Sequence, residues 1–185
     1  MVCHPTQAEV RKLNRIILHC SATEPGHDIG ADVIRTWHKA RGWTDIGYHY
    51  VIRLNGVIES GRSLDRIGAH VKNHNADSIG ICYIGGLDVN GDPANTMNGR
   101  QLDSLKRLCY ALCVTLNQPL MLHGHNEYST KACPSFTVAD TLEELKSWCA
   151  SYQRRFIDQR PPASLELTQY SSGAHCTCGN RECNS

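Results

Sequence analysis

The side chains best able to do chemistry in this chain are imidazoles and thiols: ten histidines and ten cysteines among 185 residues. His19 closes the apolar run RIILHC and stands before a polar loop. His125 follows Gly124 at the end of PLMLHGH, and Cys133 comes shortly after it within KACPS. Two imidazoles and one thiolate make a three-donor set. Zinc accepts nitrogen and sulfur donors and, when catalytic, keeps a fourth position for water. Each residue also has an ordinary alternative. A histidine at a strand end commonly just hydrogen-bonds, and a free cysteine packs as a small hydrophobe. The step from His125 to Cys133 matches no zinc-finger spacing, and His123 is a competing imidazole on the strand itself. From the residues alone, the metal reading and the packing reading both stand.

The remaining soft side chains divide by setting. Cys82, Cys109, Cys113 and Cys149 sit inside apolar patterns such as SIGICYIGG and LCYALCVTL, where burial is the habit of free cysteine. His175, Cys176, Cys178 and Cys183 crowd the C-terminus, so a metal-binding tract and a loose tail both fit there. No Glu stands in an H-E-x-x-H arrangement, so the metalloprotease base is absent.

The elements that must position these groups read clearly. RIILHC (15–20) predicts a buried strand. SATEPGHDIG, with its Pro and Gly breakers, predicts a loop. Val33, Ile34, Trp37 and His38 mark one face of a helix over 31–41, stopped by Gly42. YHYVIRL, then Asn55-Gly56, then VIES predicts a hairpin. SIGICYIGG (78–86) predicts a second buried strand. Leu102, Leu105, Leu108, Cys109, Leu112 and Leu116 form the apolar stripe of a helix over 100–117. PLMLHGH predicts a short strand, and 138–152 a final helix with Thr137 as its cap. The order strand, helix, hairpin, strand, helix, strand, helix predicts an α/β fold: a central mixed β-sheet flanked by about three α-helices. One domain is expected over 1–157, with its core at about 13–155. Residues 158–185 lose apolar periodicity and read as a Cys-containing tail or extension.

Composition excludes some classes. The formal net charge is +1, which gives no electrostatic case for a nucleic-acid partner. No run of 18 apolar residues occurs, so no membrane insertion is expected. MVCHPTQAEVRKLNR has no apolar segment and does not read as a signal peptide. Synthesis in the cytoplasm is therefore expected, with largely reduced thiols.

Several segments resemble one family in register. RIILHCSAT, WHKARGWTDIGYHYVI, GAHVKNHNADSIGICYIGG and GHNEYSTKACPSF look like the zinc-dependent N-acetylmuramoyl-L-alanine amidases, the family of the amidase-type phage lysozymes and the peptidoglycan recognition proteins. The likeness runs from about Ile16 to Phe136 with no segment missing. It implies the amidase fold, one Zn2+ per chain and a muropeptide groove. It implies His19, His125 and Cys133 as metal ligands, Tyr48 as the tyrosine of the Gly-Tyr-His step, and Lys131 as the lysine two residues before the Cys ligand. It suggests, more softly, His38, Trp43, His70 and Asn75 as groove residues that bind substrate. The implied activity is cleavage of the bond between N-acetylmuramic acid and L-alanine in peptidoglycan by a monomeric endolysin or wall amidase, acting on the cell wall after release or export. The alternative is a non-catalytic peptidoglycan-binding module, against which the presence of Cys133 argues.

Overall fold

A computed structural model of the chain describes residues 11–152. The tail expected over 158–185 lies outside the described residues. The elements are β1 (Arg15–Cys20), α1 (Ala31–Ala40), β2 (Tyr50–Ile52), β3 (Ile58–Ser60), β4 (Ser78–Tyr83), α2 (Gly99–Leu116), β5 (Met121–Gly124), a 3-10 turn (His125–Glu127), α3 (Val138–Thr141) and α4 (Glu143–Ser151). Five strands form one mixed sheet in the order β3-β2-β4-β1-β5. β1 lies parallel to both β4 and β5, β2 is parallel to β4, and only the β2–β3 hairpin is antiparallel.

The central strands are buried on both faces, which is why β1 and β4 read as continuous apolar runs and not as alternating ones. Ile16, Leu18, Ile79, Ile81 and Tyr83 join Leu105, Leu108, Cys109 and Leu112 of α2 and Leu145 and Cys149 of α4 in the main core. On the other face Val51 and Cys82 pack with Ala31 and Ile34 of α1. Successive side chains on a strand point to opposite faces. His19 pairs in register with Cys82, and Cys82 with Val51, so His19 shares the face covered by α1.

The elements follow their local causes. Helix α2 begins in a capping box, with the Asn98 side chain accepting from Gln101 N–H and Gln101 reaching back. It ends at Asn117, whose φ of 53° is left-handed. The hairpin departs from the two-residue turn that Asn-Gly suggests. Arg53 N–H donates to the Val57 carbonyl and Gly56 N–H to the Arg53 carbonyl, closing a three-residue connection with Gly56 left-handed at φ 86°.

Three expectations need correction. The single helix expected over 138–152 is two pieces, because Leu142 leaves helical geometry at φ −126° and ψ 30°. Thr137 stands at the N-cap position but makes no capping hydrogen bond. Trp37, placed with the apolar face of α1, is 41% exposed; the buried face is Ala31, Ile34 and His38. Cys82, Cys109, Cys113 and Cys149 are buried and free, as their apolar surroundings require. Among the described residues, no helix is long and apolar enough to cross a membrane.

Candidate metal and catalytic site

The site forms where parallel strands end. Leu18 of β1 pairs with Gly124 of β5, so His19 and His125 are each one step past that pair on neighbouring strands. Their rings lie 4.6 Å apart. Cys133 arrives on the loop that follows. Its Sγ lies 3.7 Å from His19 Nδ1 and accepts a hydrogen bond from Cys20 N–H at 3.3 Å. One donor atom from each of His19, His125 and Cys133 falls within 4.8 Å of the others. His19 is buried, while His125 and Cys133 are partly exposed, so the group opens to solvent on one side. His123, the competing imidazole, is not in this group. Its Nδ1 lies 2.6 Å from the Glu127 carboxylate.

The local sequence explains how the donors are held. Glu127 also accepts from Gly124 N–H at 2.7 Å, which fixes the turn that begins at His125. That carboxylate is thereby engaged by His123 and Gly124. Tyr83 donates its hydroxyl to the Pro134 carbonyl at 2.7 Å, and Ser135 donates to the Gly86 carbonyl at 2.7 Å. These two bonds tie the Cys133 loop to the end of β4. Gly86 is required there: a Cβ would lie 2.5 Å from Cys20 Sγ.

The electrostatics suit neutral imidazoles. Burial, followed by the charges of His70, His125 and Lys131, holds His19 well below the usual imidazole range. Burial and then Lys131 lower His125. Hydrogen bonding to the Cys20 thiol, then burial, pushes the Cys133 thiol up. A cation among these donors opposes that rise, because a coordinating thiol is deprotonated.

The structure places the other sequence candidates at varying distances from this centre. The Tyr48 ring is 5.0 Å from His19 and 5.4 Å from His38. Burial pushes its phenol well above the usual tyrosine value, so it stays protonated and can donate. Lys131 is exposed at the rim, and its charge reaches both site histidines. His38 is buried. Its Nδ1 accepts from Gly47 N–H at 2.9 Å, and its ring packs 4.4 Å from Trp43, which is 39% exposed. The Asn75 side-chain oxygen accepts from His70 N–H and Val71 N–H, closing its own loop. His70 is buried against His19, with its Nδ1 3.1 Å from His19 Nε2. Sequence reasoning did not foresee that contact. Nor did it foresee Ser78, which continues the contact, or the Cys20 amide that supports Cys133. Spacing carries no signal for residues brought together by strand pairing.

Comparison with known proteins fits this geometry. Residues 9–136 match the N-acetylmuramoyl-L-alanine amidase family. An endolysin of Klebsiella phage KP32 is 39% identical over 138 residues, covering 75% of this chain and 86% of that protein. The solved N-acetylmuramoyl-L-alanine amidase LysC from Clostridium intestinale URNW is 30% identical with a TM-score of 0.62, over 74% of this chain and 85% of that one. The ectodomain complex of peptidoglycan recognition proteins LCa and LCx, solved with tracheal cytotoxin, gives 28% identity and a TM-score of 0.57 over 67% and 76%.

Proposed function

The chain belongs to the N-acetylmuramoyl-L-alanine amidase family and is a peptidoglycan amidase, and we propose that it works as a zinc enzyme whose ion is held by His19, His125 and Cys133. The observation that carries this is the meeting of those three donors at the strand ends. The donor set fits the ion. Zn–N near ~2.1 Å and Zn–S near ~2.3 Å in a tetrahedron put nitrogen and sulfur about 3.5 Å apart, close to the 3.7 Å between His19 Nδ1 and Cys133 Sγ. Three protein donors leave one position for chemistry. When bound, zinc acidifies a water molecule and polarises the scissile carbonyl.

The protein's own groups do the rest. Tyr48, kept protonated by burial, donates a hydrogen bond either to the attacking water or to the oxygen on which charge develops. Lys131 at the rim supplies a positive charge to that same oxygen. Donors aimed at developing charge lower the barrier more than they tighten ground-state binding. Trp43, exposed and packed at a tilt against His38, offers an apolar wall for the substrate near Tyr48. The phage endolysin relatives support a role on the bacterial cell wall. A purely binding role is disfavoured, because it has no use for a thiol placed on His19.

The test is metal content read beside products. The full-length chain with Cys176, Cys178 and Cys183 changed to Ser should carry one zinc, and it should release stem peptide beginning at L-alanine from intact glycan by mass spectrometry. Adding Cys133→Ala should remove most of the metal and the activity. A full zinc equivalent in that last protein would reject the ligand set.

A further inference from the structure

A hydrogen-bonded chain runs from the site into the sheet and ends on a group whose role is fixed. Ser78 Oγ lies 2.5 Å from the His74 carbonyl. Ser78 Oγ is also 3.3 Å from His70 Nε2, and His70 Nδ1 is 3.1 Å from His19 Nε2. A carbonyl only accepts, so the Ser78 hydroxyl must donate to it. Its oxygen is then the acceptor for His70 Nε2–H. A neutral imidazole has one donor and one acceptor nitrogen, so His70 Nδ1 accepts and the proton between the two rings sits on His19 Nε2. His19 Nδ1 is left with its lone pair free, and it is the nitrogen facing Cys133.

We propose that His70 and Ser78 are positioning residues that lock His19 in the Nε2–H tautomer and aim its Nδ1 lone pair at the metal. This rests on the zinc reading of the site. The order of cause is set by the protein: the chain is polarised from the His74 carbonyl outward, whether or not an ion is present. The sheet is built around the second ring. Gly80 lies two residues before Cys82, on the same face of β4 as His19. A Cβ there would come within 2.6 Å of two His70 ring atoms. Gly80 is therefore the hollow that lets the His70 ring meet His19 edge-on, at 86° between the ring planes, and Gly68 does the same from the loop, where a Cβ would also meet that ring at 2.6 Å. Asn75 then serves His70, because its side-chain oxygen holds the backbone at His70 and Val71. Such outer partners commonly tune metal affinity by 10–100-fold.

The experiment uses the full-length chain with its tail cysteines changed to Ser. Zinc affinity is measured by chelator competition, and the His19 tautomer by 15N NMR of histidine-labelled, zinc-stripped protein. His70→Ala should weaken zinc by roughly 10–100-fold. His70→Asn, whose amide oxygen stands near the Nδ1 position and accepts the same hydrogen bond, should bind within about threefold of wild type. Gly80→Ala, which displaces the ring without touching it chemically, should weaken zinc like His70→Ala. Wild type and His70→Asn should show one Nε2–H tautomer, and His70→Ala a mixture. If His70→Ala binds zinc as wild type does, or if His70→Asn is no better than His70→Ala, the relay is wrong and His70 only fills space. A wild-type chain that takes up no zinc would overturn the metal reading beneath it. The NMR comparison would still decide whether His70 sets the tautomer.

Discussion

Two buried imidazoles make this protein's stability depend on pH in a calculable way. His38 and His49 are 6% and 1% exposed, and each uses Nδ1 to accept a backbone N–H, from Gly47 and Gly80 respectively, at 2.9 Å. Protonation turns that acceptor into a donor facing a donor. Burial is the first cause that lowers each ring, to about 4, from an ordinary value of 6.5. In the unfolded chain both titrate at the ordinary value, so between the two values the unfolded state binds more protons. The stability they contribute is therefore complete above about pH 6.5 and is lost as pH falls towards 4. From about pH 8 to pH 5 the loss is about 2 kcal/mol for His49 and somewhat less for His38. Together they remove a large part of an ordinary domain's 5–15 kcal/mol or so. Urea titrations of zinc-stripped protein across that range would measure it together with the loss of the same sign from His19, His70 and His125, which burial also lowers, and the His38 share is read from its variant. His38→Asn keeps an acceptor for Gly47 N–H but cannot titrate. It should flatten the curve by its own share even if it lowers stability at pH 8. A stability that stays constant within about 1 kcal/mol from pH 8 to pH 5 would refute the argument, since neither ring would then contribute its share.

Three further outcomes are expected. Tyr48→Phe removes one hydroxyl and Lys131→Met one charge; both should keep zinc and lose turnover on the order of a hundredfold with little change in substrate affinity, measured by muropeptide release beside metal analysis. Cutting the chain after residue 157 should leave the melting temperature within a few degrees, because Tyr152, at the end of α4, already packs in the main core; a drop of many degrees would show that the tail packs on the domain. Leu105→Ala, which removes a side chain with 0% exposure from the sheet-facing side of α2, should cost about 2–5 kcal/mol in urea unfolding without altering the products.

What this sequence determined by itself is whatever depends on neighbours along the chain. The apolar runs of β1 and β4, the leucine stripe of α2, the Asn55-Gly56 hairpin and the burial of Cys82, Cys109, Cys113 and Cys149 all follow from local period and composition, and the structure has each of them. The candidate ligands were legible in a different way. His19, His125 and Cys133 came from several motifs in register, since a spacing of more than a hundred residues between His19 and His125 says nothing about contact. The tertiary structure decided the rest, because strand pairing has no local signature. The register that sets Leu18 against Gly124 brings the two histidines side by side, and the register that sets His19 against Cys82 places the hollow over Gly80 where His70 lies. The family resemblance suggests His70 as a groove residue, and it does stand in a loop. In the fold it is buried against His19, because what surrounds a side chain is fixed by which strand lies beside it and not by the residues on either side of it in the chain.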